Sequence, residues 1–188
     1  MVDLVAEAAR LETFLKSQGW RFCFIGGLAV QHWGEPRLTR DIDLSLLTGF
    51  GGEASYIDSL LGAYPARIAD ARAFALARRV LLLRTPGGVG IDISLAALPY
   101  EETAVSRAVP IELAPGCVLS LCSPEDLLVM KLFASRATDL RDARSVVVRQ
   151  GAGRLDWPYI ETQLAGLAEL RDDIAPLDEL RRLQESIL

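Results

Sequence analysis

Asp41-Ile42-Asp43-Leu44 sets two carboxylates two residues apart, in a segment (DIDLSLL, 41–47) that alternates polar and apolar. In a strand, side chains at i and i+2 share a face, so Asp41 and Asp43 point together while Ile42 and Leu44 point to the core. Carboxylates held side by side repel, and one keeps its proton unless a cation compensates. Magnesium resolves that conflict, because it favours carboxylate oxygen and keeps water positions for substrate phosphates. A chance solvent-facing Asp-x-Asp is the plainer alternative.

Gly26-Gly27 follows a buried strand and precedes a short helix. Glycine there lets backbone approach a ligand, and the helix N-terminus offers free N–H groups to phosphate. A simple turn is the competing reading. In Gly90-Ile91-Asp92-Ile93-Ser94 the same alternation puts Asp92 and Ser94 on one face. If this strand neighbours the first, Asp92 is a third carboxylate at the same site, able to bind metal and act as general base toward an acceptor hydroxyl. Otherwise it is an ordinary exposed acid. Lys131 is a lone cation in the apolar run LLVMKLFA, so it either snorkels to solvent or reaches a triphosphate. Arg136 either pairs with Asp139 or Asp142 or contacts substrate. Arg37 is a candidate phosphate contact, and Thr39 orders the approach to the Asp41 strand through its hydroxyl. His32 and Trp33 read as packing residues. Arg67, Arg72, Arg78, Arg79 and Arg84 form a local basic cluster that either meets phosphates or makes a solvated face.

The elements that must position these groups are readable from period and punctuation. Helical spacing predicts a helix over 3–17, then a strand at 21–25 and a short helix from Leu28 to Trp33. Strands are expected at 41–47, 78–84 and 89–95, the last two joined through Thr85-Pro-Gly-Gly88, with one or two more within 108–121. A helix is expected at 53–62. Ser123-Pro124-Glu125-Asp126 opens a helix, with Ser as N-cap and Pro in the first turn. Helices over 124–134, 139–149, 157–169 and 176–187 complete the chain. The expected organisation is an α+β core, residues 1–122, followed by a helical region, 123–188, packed on it.

The 188 residues are 51% hydrophobic and 24% charged, with mean hydropathy +0.24, as a folded globular protein requires. No apolar run is long enough to span a membrane, and the N-terminus lacks the basic start and apolar block of a secretory signal. Cys23, Cys117 and Cys122 have no CxxC spacing and His32 is the single histidine, so buried free thiols are expected rather than zinc, in a cytoplasmic protein. A net charge of -5 and pI near 5.0 argue against broad nucleic-acid binding.

Gly26-Gly27, the Asp41/Asp43 pair and the later Asp92 resemble the signature of the nucleotidyltransferase superfamily, the DNA polymerase beta-like enzymes. Arg37-Leu-Thr39-Arg-Asp41 narrows the resemblance to the abortive-infection toxin nucleotidyltransferases of type IV toxin–antitoxin systems. The region from Leu127 through Lys131, Arg136, Asp139 and Asp142 is similar to the same branch, with Thr138 where that branch often has lysine. The resemblance covers about residues 20–145 and implies a mixed-sheet fold with flanking helices and a C-terminal helical extension. It implies two magnesium ions (manganese as substitute) held by Asp41, Asp43 and Asp92, with an NTP as donor. Gly26, Gly27, Arg37, Lys131 and Arg136 would contact the nucleotide. It further implies transfer of NMP to an RNA or protein acceptor, and a cognate antitoxin as partner. A catalytically silent interaction module with the same fold is the alternative. The preferred base, the acceptor and the oligomeric state are not written in the sequence.

Overall fold

Two alternating apolar runs build the centre of the molecule. In the computed structural model, which describes residues 3–186, Ile42, Leu44 and Leu46 of β2 (Asp41–Leu47) are fully buried. Ile91, Ile93 and Leu95 of β4 (Gly90–Ala96) are buried with them. These strands pair in parallel, Ile42 opposite Ile91 and Leu44 opposite Ile93, so one apolar stripe continues across both. β3 (Val80–Arg84) pairs antiparallel with β4, and β1 (Phe22–Phe24) antiparallel with β2. β6 (Cys117–Leu121) joins β1 in parallel, and β5 (Val109–Ala114) closes that side antiparallel to β6. The sheet is mixed and six-stranded, in the order β3-β4-β2-β1-β6-β5. All three residues of β1 are buried, as befits a strand in the sheet interior.

Helix α1 (Leu4–Ser17) starts where the Asp3 carboxylate accepts from the Val5 and Ala6 N–H groups. Its Ala8, Leu11 and Leu15 join the sheet core, together with Ile57 and Leu60 of α3 (Glu53–Ala63). α4 (Ala71–Arg78) adds Ala71 and Ala75. This helix lies in the arginine-rich stretch, where the sequence suggests only a basic cluster before a strand. α5 (Pro99–Ser106) was likewise not expected. Its start is fixed by Pro99 in the first turn and by Glu101, which accepts from the Ala97 and Leu98 N–H groups. The short helix after β1, α2, spans Gly26–Trp33, so both glycines lie inside its first turn rather than before it.

From Ser123 the chain is helical: α6 (Pro124–Ala134), α7 (Ala137–Gln150), α8 (Trp157–Arg171) and α9 (Ala175–Glu185). Ser123 caps α6 as its sequence predicts, accepting from the Asp126 N–H at 3.1 Å. The expected end of the last helix at residue 187 lies outside the described residues. Leu127, Leu128 and Val129 of α6, Val146 and Val147 of α7, and Ile160 and Leu164 of α8 are fully buried.

The chain divides into two compact units, Met1–Leu28 with Leu38–Cys122, and Ala29–Arg37 with Ser123–Leu188. The first holds the six-stranded sheet and the first turn of α2; the second holds the rest of α2, the residues up to Arg37 and the C-terminal helices. Among the described residues there are nine α-helices, and the fold is α+β. None of these helices is long and apolar enough to cross a membrane. Cys23 and Cys122 are buried free thiols, but Cys117 is only half-buried: it begins β6 beside the β5–β6 turn.

Candidate active site

The sheet unit brings the three predicted carboxylates to one face. Asp43 and Asp92 are register partners on adjacent parallel strands, and Asp41 stands two residues before Asp43. Asp41 is exposed, while Asp43 and Asp92 are half-buried between flanking core residues. Gly27, in the first turn of α2, donates its N–H to Asp43 Oδ2 at 3.3 Å. The close approach of this turn explains both glycines. A Cβ on Gly26, whose φ is +58°, would overlap the Asp43 carboxylate, and one on Gly27 would overlap the Thr39 hydroxyl. Thr39 in turn hydrogen-bonds the Asp41 carbonyl at 3.3 Å, so its hydroxyl orders the approach to β2.

Arg67 reaches the same face. Its guanidinium lies 2.5 Å from Asp92 Oδ1 and 3.5 Å from Asp41 Oδ1. Burial raises the Asp92 carboxyl above the ordinary aspartate range; Arg67 opposes that shift and the Asp41 charge adds to it. The rest of the arginine cluster does other work. Arg72 makes a paired contact with Asp58, and Arg79 ties the Gly49 and Leu95 carbonyls to Glu53. Arg67 was visible in the sequence only as one of five arginines. Its isolated pairing beside β3, through the bridge from Ala66 to Leu83, has no local sequence signal.

The helical unit holds the other predicted residues in an ion network of its own. Lys131 is buried, and its Nζ donates at 2.8 Å to Asp139 Oδ1 and at 2.8 Å to Asp142 Oδ2. Arg37 grips Asp142 with two parallel bonds of 2.8 Å, the bidentate geometry in which guanidinium binds carboxylate most strongly. Arg136, largely exposed, reaches back to Asp139 at 2.5 Å. Burial pushes both aspartates up. Hydrogen bonds from Arg136 and Lys131 outweigh it at Asp139, and those from Arg37 and Lys131 outweigh it at Asp142, so both carboxyls titrate below the usual range. Lys131 therefore does not snorkel to solvent. Asp139 and Asp142 enter the sequence reading only as partners of Arg136 and within the resemblance; their i, i+3 spacing on α7 is the local signal. His32 packs edge-on against Trp33, with ring centroids 4.3 Å apart.

Among the described residues, no three His, Cys, Asp or Glu side chains are drawn together tightly enough to cage a metal ion. The donor set of Asp41, Asp43 and Asp92 is nonetheless all hard oxygen on a partly open face. That suits magnesium, which binds through one or two carboxylates and keeps waters and substrate phosphates as its remaining ligands.

The family model described as nucleotidyl transferase AbiEii toxin, type IV TA system, matches residues 13–149. No curated protein matches the chain by sequence. Among solved structures, the chain is similar to an antigenic nucleotidyltransferase-like protein from Paracoccidioides brasiliensis. That likeness has TM-score 0.50 and 21% identity, covering 92% of this chain and 91% of that one. It also resembles the antibiotic-resistance factor ANT(2'')-Ia in its solution structure, with TM-score 0.56 and 15% identity over 95% of this chain and 96% of that one. The crystal structure of ANT(2")-Ia with adenylyl-2"-tobramycin gives TM-score 0.57 and 14% identity, over 89% and 98% of the two chains. These are likenesses of fold.

Proposed function

The chain belongs to the nucleotidyl transferase AbiEii toxin family of type IV toxin–antitoxin systems, and from that premise we propose a magnesium-dependent enzyme that transfers NMP from an NTP to an RNA or protein acceptor. The observation that carries the reading is the in-register pairing of Asp43 with Asp92, with Asp41 on the same face. In this reading Asp41, Asp43 and Asp92 hold the magnesium ions. Magnesium, when bound, neutralises the triphosphate and makes the acceptor hydroxyl more acidic.

The chain's own groups supply the rest. Asp92 is the carboxyl best suited to take the acceptor's proton, because burial has raised its proton affinity while leaving it half open. The Gly27 N–H fixes the Asp43 carboxylate, so that ligand is oriented before substrate arrives. In this reading Arg37 and Arg136 are the nucleotide-contacting cations; Arg37 and Lys131 hold Asp142, and Lys131 and Arg136 hold Asp139. The toxin family favours RNA or protein over an antibiotic as acceptor, and a cognate antitoxin as regulator.

Isothermal titration of ATP, GTP, CTP and UTP with magnesium, against an Asp41→Ala/Asp43→Ala variant, tests the reading. Binding by the native protein and loss in the variant is the expected result; no nucleotide or metal binding by the native protein sinks it. Incubation with labelled NTPs and cell extract then separates an enzyme, which transfers label, from a silent binding module, which does not.

A further inference from the structure

Arg67 sits where its charge contests the carboxylate face. Its backbone is pinned beside β3: the Arg67 N–H donates to the Leu82 carbonyl, and the Arg84 N–H donates to the Pro65 carbonyl. Leu82 is the register partner of Asp92, and Asp92 of Asp43, so Arg67 stands in line with two of the three aspartates across neighbouring strands. The long side chain covers the distance and ends on Asp92 Oδ1 and Asp41 Oδ1. Gly90 makes that meeting possible, since a Cβ there would overlap both the Asp41 carboxylate and the Arg67 guanidinium. A guanidinium and a hard cation seek the same carboxylate lone pairs, and both cannot hold the same oxygens.

We propose that Arg67 is a positioning residue that exchanges with the metal: its guanidinium, which bridges Asp41 and Asp92, gives way as metal and nucleotide enter and turns to the nucleotide's phosphates. The inference rests on the nucleotidyltransferase reading. The strand contacts keep the Arg67 backbone in place during the exchange, so only side-chain torsions change. The displaced guanidinium, with its planar fork of donors, suits a phosphate of the incoming triphosphate.

The test is manganese binding to the nucleotide-free protein, read from the spin resonance of free Mn2+, for native protein, Arg67→Gln and Arg67→Lys. With the competitor removed, Arg67→Gln binds Mn2+ about twofold to fivefold more tightly than native protein, the scale set by a partly exposed ion pair. Arg67→Lys, which keeps the charge, stays near native. At saturating Mn2+, Arg67→Gln binds NTP more weakly than native protein. An arginine that merely supports the fold moves the first result the other way, with weaker Mn2+ binding in Arg67→Gln, and that overturns the proposal. Equal Mn2+ affinity in native and Arg67→Gln proteins overturns it as well, while leaving the nucleotidyltransferase reading standing. Failure of the native protein to bind Mn2+ or NTP at all removes that reading and this inference together.

Discussion

The two acidic clusters in this chain are built on opposite electrostatic terms. On the sheet, Asp41, Asp43 and Asp92 share a partly open face, and burial raises the proton affinity of Asp92 against the pull of Arg67. In the helical unit, Asp139 and Asp142 are buried among Lys131, Arg37 and Arg136, and their proton affinity falls. The difference separates two uses of carboxylate. In the proposed reading, three carboxylates that share one arginine are left for an incoming cation, whereas two carboxylates held by three cations serve to fix geometry.

Removing charge from each cluster should therefore have opposite consequences. The largest effect expected is on catalysis: Asp41→Ala/Asp43→Ala lowers label transfer by at least about a hundredfold, the scale of losing one group that stabilises the transition state. Its urea midpoint stays at or above the native value, because a repulsion has been relieved. Lys131→Met, by contrast, strips a buried cation from two buried carboxylates and destabilises the protein by about 3 kcal/mol in urea unfolding. A stable Lys131→Met protein would erase the proposed distinction between the clusters.

Gly26→Ala comes next. It forces a side chain into a left-handed backbone position and onto the Asp43 carboxylate, for a loss of at least about 1–2 kcal/mol from the backbone alone. Metal affinity falls with it.

The smallest effect is a change of slope with pH. Asp139 and Asp142 have depressed folded values, so their stabilisation is complete above the unfolded aspartate range and is lost as pH falls through the folded values. Asp92, raised in the fold, acts in the reverse sense, its cost relieved on acidification. Urea unfolding across an acid pH series should show a flatter acid limb for Asp142→Asn and a steeper one for Asp92→Asn. Identical limbs would show that the two clusters do not differ as described.

Much of this contrast is legible in the sequence. The alternation of DIDLSLL and GIDIS assigned three aspartates to strand faces, and Ser123 marked the start of α6 by a cap that obeys local rules. What could not be read was long-range partnership. The sequence made Asp92 a neighbour of Asp43 only on the condition that their strands pair, and it left Lys131 between solvent and substrate. Lys131 finds its partners only 8 and 11 residues along the chain, but the contacts depend on how α7 packs Asp139 and Asp142 against α6, which residue type and spacing do not state. α4 was hidden for a different reason. Asp70, at its N-cap, adopts a left-handed conformation without a side-chain capping bond, so the usual start signal is missing. For α5 the local signals are Pro99 in the first turn and Glu101 at its third position.

The division of α2 between the two units has a consequence for synthesis. Residues 29–37 leave the ribosome long before Ser123–Leu188 has been made, yet they belong with that later segment, and Arg37 finds its carboxylate partner only at Asp142. The helical unit thus cannot be completed from the C-terminal residues alone. A fragment starting at Ser123 would emerge without the Arg37 bonds to Asp142, and until Asp142 has been made the guanidinium of Arg37 must wait in water for an acid that does not yet exist.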